Sequence, residues 1–355
     1  MQEQGFHMAH GDKTNTLAAR LQRFLRSGPR VEQASFRPQP AMEPEMSQGP
    51  RQTRHAFIHV GLPKTGTTSI QKTLAASRDI LRRHAIAYPG SEEDHAILIA
   101  LFHPKGPQHF HLVKRAISDP QSAANRLLTE ALQGKGDLIL SSEYLHNIGE
   151  AGARKFHDRL SQAGFDVRFI CYVRHPVDLA VSSAQQSIKM GDRTLADVIA
   201  DPRYTPIRRT VEPFAKAVGK ENVILMDFGA AARGGLLNSL FSAIGRPELM
   251  QEITEIRANE GLTMDAALFS DLHARVRKET GKTLFPKPVV FQFKDGKFDL
   301  PAESKDIVRG LGQKDVDWVA QEFGFRLTES AHPPRYRANP SLDSVAKVIE
   351  AVRRA

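Results

Sequence analysis

The stretch FIHVGLPKTGTTSIQ, residues 57–71, decides the expected fold. A short apolar run leads into a loop bounded by Gly61 and Gly66, and helical periodicity follows directly. Apolar runs of this length are typical of buried strands. A glycine loop that opens into a helix points backbone N–H groups at an anion. The stretch therefore predicts a strand, a phosphate-binding loop and a helix, in that order.

The loop differs from that of nucleoside triphosphatases, whose pattern is G-x-x-x-x-G-K-[ST]. Gly61 and Gly66 keep the spacing, but Thr67 stands at the lysine position and Lys64 lies inside the loop. Lys64 would place a mobile positive charge near the ligand, and the threonine hydroxyls would donate to its oxygens. The residues expected to bind the anion are Pro63, Lys64, Thr65, Gly66, Thr67 and Thr68.

Similar apolar runs recur along the chain after residue 55. They predict strands at 56–60, 137–142, 166–173 and 222–228. Runs without polar alternation suit strands that are buried on both faces, and helical patterns between them favour right-handed βαβ units. The expected fold class is α/β: a doubly wound, mainly parallel sheet flanked by helices, of the P-loop nucleotide-binding type, with a helical C-terminal extension.

Helical periodicity sets the expected domain organisation. Apolar residues mark one helical face in each of two segments, Ile70, Leu74 and Leu81 in the first and Val177, Val181, Ala184 and Ile188 in the second. Three later segments, 262–279, 303–323 and 341–353, also read as helices. We expect a proline-rich, low-complexity tail at 1–54, an α/β core at 55–257 and a helical extension or lid of the same domain at 258–355.

Composition restricts the partner and the compartment. The net charge of +9 favours an anionic partner without choosing its chemistry. Cys171 is the single cysteine, so no intrachain disulfide is possible, and its apolar surroundings predict a buried, inert thiol. No apolar stretch is long enough to span a membrane, and no secretory signal pattern is present. A soluble cytoplasmic protein without stable membrane insertion is the expectation, with its oligomeric state open.

A second segment, YVRHPVDLAVSS at 172–183, places another cation at a strand end. Arg174 would end the strand, Pro176 follows two residues later, and Ser182 lies eight residues after the arginine. A guanidinium fork suits a phosphate dianion, so Arg174 and Ser182 can bind a second phosphate. The two phosphate elements lie about 110 residues apart, each at a strand-to-helix junction.

Together these segments resemble the sulfotransferases that use 3′-phosphoadenosine 5′-phosphosulfate (PAPS), in a bacterial-type P-loop form. GLPKTGTTSIQ is similar to the family's 5′-phosphosulfate loop, PK[ST]GT[TS], and the segment with Arg174, Pro176 and Ser182 is similar to its 3′-phosphate element. The resemblance covers roughly residues 55 to 230. It implies a sulfotransferase that uses PAPS as cosubstrate, releases 3′-phosphoadenosine 5′-phosphate (PAP) and requires no metal.

Catalysis would require charge stabilisation and a base. Lys64 would neutralise the charge that grows on the leaving phosphate oxygen. Glu143, at the end of the strand DLILSS, is the candidate base for the acceptor hydroxyl. Many members of the resembled family carry a His or Glu on the corresponding strand. The alternative is a structural carboxylate in a helical first turn, with Ser141 or Ser142 as the cap.

Other residues compete for roles at the site. His95, His103, His109 and His111 are rival bases or border the acceptor cleft, with His109 and His111 on an exposed loop. His59 reads as a satisfied interior residue, and His175 could contact ligand or solvent. Arg257 and Gly261 echo a family pattern, RKGxxG, that closes over the 3′-phosphate, but their spacing departs from it.

Two other functions stay open at this stage. A P-loop kinase or nucleoside triphosphatase would need a Gly-Lys-[ST] step and a strand-end aspartate for magnesium, and neither is convincing here. A non-catalytic binder of anionic polymers would explain the charge but not the paired elements. For the sulfotransferase, the acceptor is expected to be a hydroxyl on a carbohydrate or glycoconjugate, with no nucleic acid as partner.

Overall fold

The computed structural model describes residues 53–258, 261–285, 287–293, 296–331 and 335–354. The predicted tail at 1–54 lies outside the described residues except for its last two positions. Everything described belongs to one compact unit, Gln52–Ala355. The sequence boundaries between tail, core and C-terminal extension therefore stay predictions.

A five-stranded sheet forms the centre of this unit. Its strands are β1 (Arg54–Val60), β2 (Ile86–Ala87), β3 (Asp137–Ser142), β4 (Phe165–Val173) and β5 (Val223–Asp227). All the pairings are parallel, in the order β2-β3-β1-β4-β5. The four predicted strands are confirmed to within two residues at each end. The short edge strand β2 was not predicted.

Helices cover both faces of the sheet, and the predicted fold class is confirmed. The α-helices are α1 (Thr67–Ala76), α2 (Arg78–Arg83), α3 (Ile99–Phe102), α4 (Phe110–Lys114), α5 (Pro120–Gln133), α6 (Gly149–Ser161), α7 (Pro176–Met190), α8 (Leu195–Ala200), α9 (Ile207–Val218), α10 (Phe228–Gly234), α11 (Leu236–Ala243), α12 (Met264–Thr280), α13 (Ala302–Phe323) and α14 (Leu342–Arg354). Short 3-10 turns occupy 96–98, 106–108, 143–147, 220–222, 247–251 and 287–292. Of the helices described, none has both the length and the apolar character needed to cross a bilayer.

The central strand β1 shows why the apolar runs lack polar alternation. Ala56, Ile58 and Val60 face a core cluster that contains residues of α6 and α9. Phe57 faces the opposite cluster, to which α1 and α11 contribute. Both faces of the strand are therefore removed from water, as expected for a parallel sheet covered by helices.

The helix behind the glycine loop is shorter than its apolar spacing suggested. Ile70 and Leu74 lie in α1, but the backbone leaves helical geometry at Ser77, and Leu81 belongs to α2. All three apolar side chains still enter the same core cluster. The prediction that the three residues lie on one helix was therefore wrong, although all three side chains are buried together.

The C-terminal helices pack on the α/β core through specific contacts. The three predicted segments correspond to α12, α13 and α14. From α13, the Asp315 carboxylate accepts the backbone N–H groups of Ile207 at 2.9 Å and Arg208 at 3.1 Å. It thus caps α9, whose own N-cap residue, Pro206, has no side-chain cap bond. This contact joins the helical part to the core.

Cys171 lies in β4 and is completely buried. Burial raises the pKa of its thiol to about 12. The thiol is therefore protonated at neutral pH, and a protonated thiol is a poor nucleophile. The prediction of a buried, inert cysteine is confirmed.

Candidate active site

The strand register brings the separate sequence motifs to one edge of the sheet. Val60, the last residue of β1, pairs with Ser142 of β3 on one side and with Cys171 of β4 on the other. The loop after β1 therefore begins between the ends of the two neighbouring strands. Glu143 follows β3 directly, and Arg174 follows β4. Ligands of open parallel sheets bind at such carboxyl ends.

The loop backbone contains two residues in an unusual conformation. Lys64 has a φ of 64° and Gly66 a φ of 75°, both in the left-handed region. Only glycine adopts this region without strain, so Lys64 holds an unfavourable backbone conformation. α1 begins at Thr67 with Gly66 as an N-cap that makes no side-chain bond. The first N–H groups of α1 are therefore left without side-chain acceptors.

The loop threonines are not equivalent. The Thr65 hydroxyl is buried and donates to the Leu62 carbonyl at 2.7 Å, and the Thr67 hydroxyl reaches the same carbonyl at 3.5 Å. Thr68 is half-buried, and its hydroxyl makes no hydrogen bond within the described residues. Of the three hydroxyls that the sequence offered as donors, Thr68 is the one left available for a ligand. Thr65 and Thr67 hold the shape of the loop.

Close packing favours glycine at position 61, and a left-handed φ of 75° favours it at position 66. A Cβ atom on Gly61 would clash with the Thr67 side chain and would lie 2.9 Å from the Cα atom of Glu143. A Cβ atom on Gly66 would lie 2.5 Å from Leu236 Cδ2. Gly61 therefore lets the backbone of Glu143 approach the phosphate loop. Gly66 lets α11 pack beneath it.

Lys64 and Glu143 lie close enough to influence each other's charge. Burial lowers the pKa of Lys64, while Glu143 raises it and Lys189 lowers it further. Burial raises the pKa of Glu143, Lys64 opposes that rise and Asp94 adds to it. The two side chains do not form a direct ion pair. An ammonium and a carboxylate thus share a half-buried space, each partly desolvated.

Glu143 is positioned by its neighbours and not by its own carboxylate. It opens the 3-10 turn at 143–147, and the hydroxyl of Ser142 caps this turn by accepting the N–H of Tyr144 at 3.2 Å. The carboxylate of Glu143 has no hydrogen-bond partner within the described part of the chain. The expected Ser142 cap is therefore present, and it leaves the Glu143 carboxylate available for other chemistry.

Arg174 extends from the end of β4 toward the phosphate loop. Its Nη1 atom lies 3.4 Å from the carbonyl oxygen of Lys64, and its Cζ atom lies 5.2 Å from the centre of the Phe228 ring. The aromatic ring and the loop backbone thus hold the guanidinium beside the loop. The two predicted phosphate elements are brought together by this contact.

The charge of Arg174 is not neutralised by a carboxylate. Burial lowers its pKa, while Asp178 and Asp227 raise it from a distance. Asp178 accepts hydrogen bonds from the backbone and hydroxyl of Ser330, and Asp227 accepts the N–H of Gly229. Among the described residues, none forms an ion pair with Arg174. A half-buried guanidinium without a carboxylate partner is a favourable place for an anion.

Ser182 and His175 differ in what they offer a ligand. Ser182 is half-buried on α7, and its hydroxyl makes no hydrogen bond to Arg174. Ser182 lies six positions after Pro176, the first residue of α7, about 9 Å along the helix axis. His175 is buried, and its Nδ1 accepts the N–H of Val177 as the N-cap of α7. His175 is therefore a capping residue.

A segment around Arg257 connects the helices that follow the two phosphate elements. On α1, the hydroxyls of Thr73 and Ser69 accept the N–H groups of Ile256 and Ala258, each at 2.9 Å. On α7, Gln185 Nε2 donates to the carbonyl of Leu262 at 2.9 Å. Arg257 is exposed between the two α1 contacts. Arg257 thus lies beside α1.

Gly261 lies near the α7 end of this segment. A Cβ atom on it would come within 3.1 Å of Gln185 Nε2. Ser69, Thr73 and Gln185 were not among the residues predicted from the sequence motifs. For Ser69 and Thr73, the signal available in the sequence was a pair of hydroxyls four residues apart on one helical face.

His109 is buried at the start of α4 and His111 lies half-buried within α4, so placing these two histidines on an exposed loop was wrong. His109 caps α4, and its ring centre lies 4.5 Å from that of His103. The His111 ring centre lies 3.9 Å from that of Tyr144. Burial is the first cause of a lowered pKa in all three histidines. They are neutral at neutral pH and lie next to the turn that carries Glu143.

Two histidines belong to the interior. His95 is buried, and its ring nitrogens contact the Pro89 carbonyl and the Ser141 N–H at 2.9 Å each. His59 is also buried. Its Nδ1 lies 2.8 Å from the Ser141 hydroxyl, but its Nε2 has no hydrogen-bond partner. Burial lowers the pKa of each histidine to about 4. His59 is thus interior, as predicted, but only half satisfied.

Within the residues described, no group of three or more His, Cys, Asp or Glu side chains comes together as a metal site. Asp227 ends β5, and its Oδ1 accepts the N–H of Gly229 at 2.8 Å. This carboxylate therefore caps α10.

Comparison with solved structures finds distant likenesses. A sulfotransferase from Alicyclobacillus acidocaldarius matches with a TM-score of 0.39 and 19% identity, over 65% of this chain and 97% of that chain. The sulfotransferase domain from the curacin biosynthetic pathway gives 0.32 and 14%, over 79% and 100%. A structure from the PezAT toxin–antitoxin system of Streptococcus pneumoniae gives 0.28 and 13%, over 87% and 98%. No family model and no curated protein matches the chain. These values assign neither a family nor a function.

Replacing Glu143 by glutamine should stabilise the protein at neutral pH. Burial raises the folded-state pKa of Glu143 despite Lys64, so ionising this carboxyl costs stability as pH rises above 4.5, its ordinary value. The gain should therefore shrink as pH falls toward 4.5. Urea unfolding at several pH values measures it. Glu279→Gln, at an exposed position, is the control and should show no such gain. A Glu143→Gln variant that is less stable at neutral pH would contradict this description of the site.

Proposed function

We propose that this protein transfers a sulfuryl group from PAPS to an acceptor hydroxyl and releases PAP. The observation that carries the proposal is the position of Arg174. Its guanidinium lies against the carbonyl of Lys64 without a carboxylate partner among the described residues. A cation at the end of β4 beside the anion loop after β1 suits a ligand with a phosphate at each end.

The proposed cosubstrate position follows from the two elements. The loop N–H groups, Lys64 and the Thr68 hydroxyl would bind the 5′-phosphosulfate. Arg174 and Ser182 would bind the 3′-phosphate, with the adenosine between them. The segment at 256–258, held by α1, borders this space and would present Arg257 to the cosubstrate. The chain binds phosphate here through cations and backbone donors.

In the proposed reaction the acceptor oxygen attacks the sulfur of PAPS in line with the bond that breaks. The bond between sulfur and the bridging phosphate oxygen opens, and its electron pair leaves with the 5′-phosphate of PAP. Lys64 would stabilise that growing negative charge. The acceptor's hydroxyl proton would pass to the carboxylate of Glu143. Catalysis would consist of positioning and charge stabilisation.

Glu143 suits the role of base for two physical reasons. Its carboxylate has no hydrogen-bond partner in the described structure, so its lone pairs are available. Burial raises its pKa, which makes the carboxylate a better proton acceptor than an exposed one, while nearby Lys64 favours the ionised form. The half-buried Tyr144 ring beside it offers an apolar surface for a sugar ring. We propose a carbohydrate or glycoconjugate as the acceptor.

One observation favours a second candidate, a nucleoside triphosphatase or kinase. Asp227 ends β5 near Arg174 and is a strand-end aspartate of the kind that holds magnesium. Its Oδ1 accepts the Gly229 N–H, however, and this cap explains the residue without a metal. This candidate predicts that ATP with magnesium is the preferred ligand.

Replacing Arg174 by alanine should weaken binding of the 3′-phosphate much more than binding of the 5′-phosphate. Hydrogen bonds to charged groups contribute about 1.5–3 kcal/mol, so PAP affinity should fall roughly 10- to 100-fold. AMP lacks the 3′-phosphate, and its affinity should change less than about threefold. Isothermal titration calorimetry measures both. Arg209→Ala, an exposed arginine on α9, controls for a general loss of charge. Equal losses for PAP and AMP would remove Arg174 from the 3′-phosphate site.

Lys64→Ala and Glu143→Gln should each abolish most of the transfer. Loss of one transition-state charge contact costs about 10²–10³ in rate, and loss of a general base about 10²–10⁴. PAP release from PAPS, followed with a panel of hydroxyl acceptors, measures both.

Lys72→Ala, a half-buried lysine on α1, should keep the wild-type rate. Glu143→Gln should keep its affinity for PAP. Near-normal transfer by Glu143→Gln would give the role of base to one of the histidines beside Tyr144.

A further inference from the structure

We propose that the acceptor carries an anionic group, which binds in a basic pocket between the end of α7 and α12. The inference rests on the proposed sulfuryl transfer and specifies its acceptor. The pocket has a volume of about 390 Å³. Its lining includes Lys189, Met190, Arg277, Lys278, Phe285 and Val290. The volume is in the range of pockets that bind small ligands.

Helix α7 leads from the predicted phosphate site to this pocket. Ser182, Gln185 and Lys189 follow one another at spacings of three and four, so they lie on one face of the helix. Gln185 holds the carbonyl of Leu262, and Lys189, one turn further, lines the pocket. The side of α7 that faces the cosubstrate in the proposed function therefore continues into the basic pocket.

One residue of the pocket acts electrostatically on the loop that contains Lys64. The charge of Lys189 lowers the pKa of Lys64. Lys64 is the residue proposed at the reacting phosphosulfate. A molecule in the pocket that extends along the face of α7 with Gln185 and Ser182 would approach the proposed cosubstrate site.

The chemistry of the lining selects an anion that is joined to an apolar or ring-shaped body. Arg277 and Lys278 are exposed at the rim, and neither forms an ion pair with a described carboxylate. No acidic side chain belongs to the lining. Phe285 and Val290 are buried and give the pocket an apolar wall. A carboxylate or sulfate on a sugar or aromatic ring meets both requirements.

Of the two substrates, the acceptor is the one that Arg277 and Lys278 would bind. In the proposed function the two charged ends of PAPS are bound by the glycine loop and by Arg174. Arg277 and Lys278 lie on α12 and belong to neither element. Since the reaction has two substrates, the remaining one is the acceptor. A neutral acceptor would leave Arg277 and Lys278 without a ligand group to bind.

Matched acceptors that differ in one charge test the inference. The panel pairs a uronic-acid oligosaccharide, a hydroxybenzoate and a hydroxyalkanoate with their carboxamide counterparts, and adds a sulfated oligosaccharide beside its desulfated form. The measurement is kcat/KM for PAP release. Wild-type protein should prefer the charged member of the accepted pair. A preference within a carboxylate pair would identify a carboxylate as the group bound. A preference within the sulfated pair would identify a sulfate.

The variant Arg277→Gln/Lys278→Gln should lose this preference. Each partly exposed ion pair is worth about a factor of three in binding, so kcat/KM for the anionic acceptor should fall about tenfold. The value for the neutral partner should change less than about twofold, which a merely structural defect would not produce. Arg277→Lys/Lys278→Arg keeps both charges and should retain the preference. Lys135→Gln/Lys314→Gln removes two exposed lysines elsewhere and should have no effect on it.

The failures of the two proposals are distinguishable. PAP affinity should be unchanged in the Arg277/Lys278 variant. If wild-type protein does not bind PAP, the proposed function is wrong. If it binds PAP but transfers to neutral acceptors equally well, or to no anionic acceptor, the basic pocket does not select the acceptor. Equal losses for both members of a pair in the double variant would contradict the inference in the same way.

Discussion

The candidate site depends on one close approach, that of the Glu143 backbone to Gly61. The Cα atom of Glu143 lies where any larger residue at position 61 would need space for its Cβ atom, and the Thr67 side chain fills the rest. Strand pairing of β1 with β3 fixes this contact, because Val60 and Ser142 are partners and the Gly61 N–H donates to the Ser142 carbonyl at 3.0 Å. The glycine therefore sets the position of a carboxylate relative to an anion loop.

The same site contains charges that the fold does not neutralise. Arg174 lacks a carboxylate partner among the described residues, and Lys64 and Glu143 are both partly desolvated without an ion pair. Such groups lower the free energy of unfolding of the empty protein. A ligand with two phosphates would supply the missing counter-charges. Stability would thus be given up at the place where the proposed function needs binding and charge stabilisation.

The sequence predicted the parts of the fold that depend on local patterns. Four strands are apolar runs because both faces are covered, so their positions could be read directly from the residues. β2 was missed since two residues carry no periodicity, and Leu81 was assigned to the wrong helix because spacing alone does not reveal the break at Ser77. The Asp315 cap on α9 was also not predicted, because it joins residues more than a hundred positions apart.

The motifs predicted where the candidate residues lie in the fold but not which contacts they make. The loop, Glu143 and Arg174 are at the sheet edge that their strand ends implied. The hydroxyls of Thr65 and Thr67 bind the Leu62 carbonyl, and those of Ser69 and Thr73 hold the segment at 256–258. These contacts follow from packing that no local pattern encodes. Lys189, on α7, lowers the pKa of Lys64, and its residue type alone is no reason to single it out in the sequence.

The most direct test of the central claim is a thermal-shift comparison of PAP, AMP, and ATP with magnesium on the full chain. A ligand present at one hundred times its dissociation constant stabilises the folded state by about 2.7 kcal/mol, which corresponds to a shift of several degrees. The two-phosphate site predicts the largest increase in melting temperature with PAP and a smaller one with AMP. A shift with ATP and magnesium, and none with PAP, would contradict it and favour a nucleoside triphosphatase or kinase.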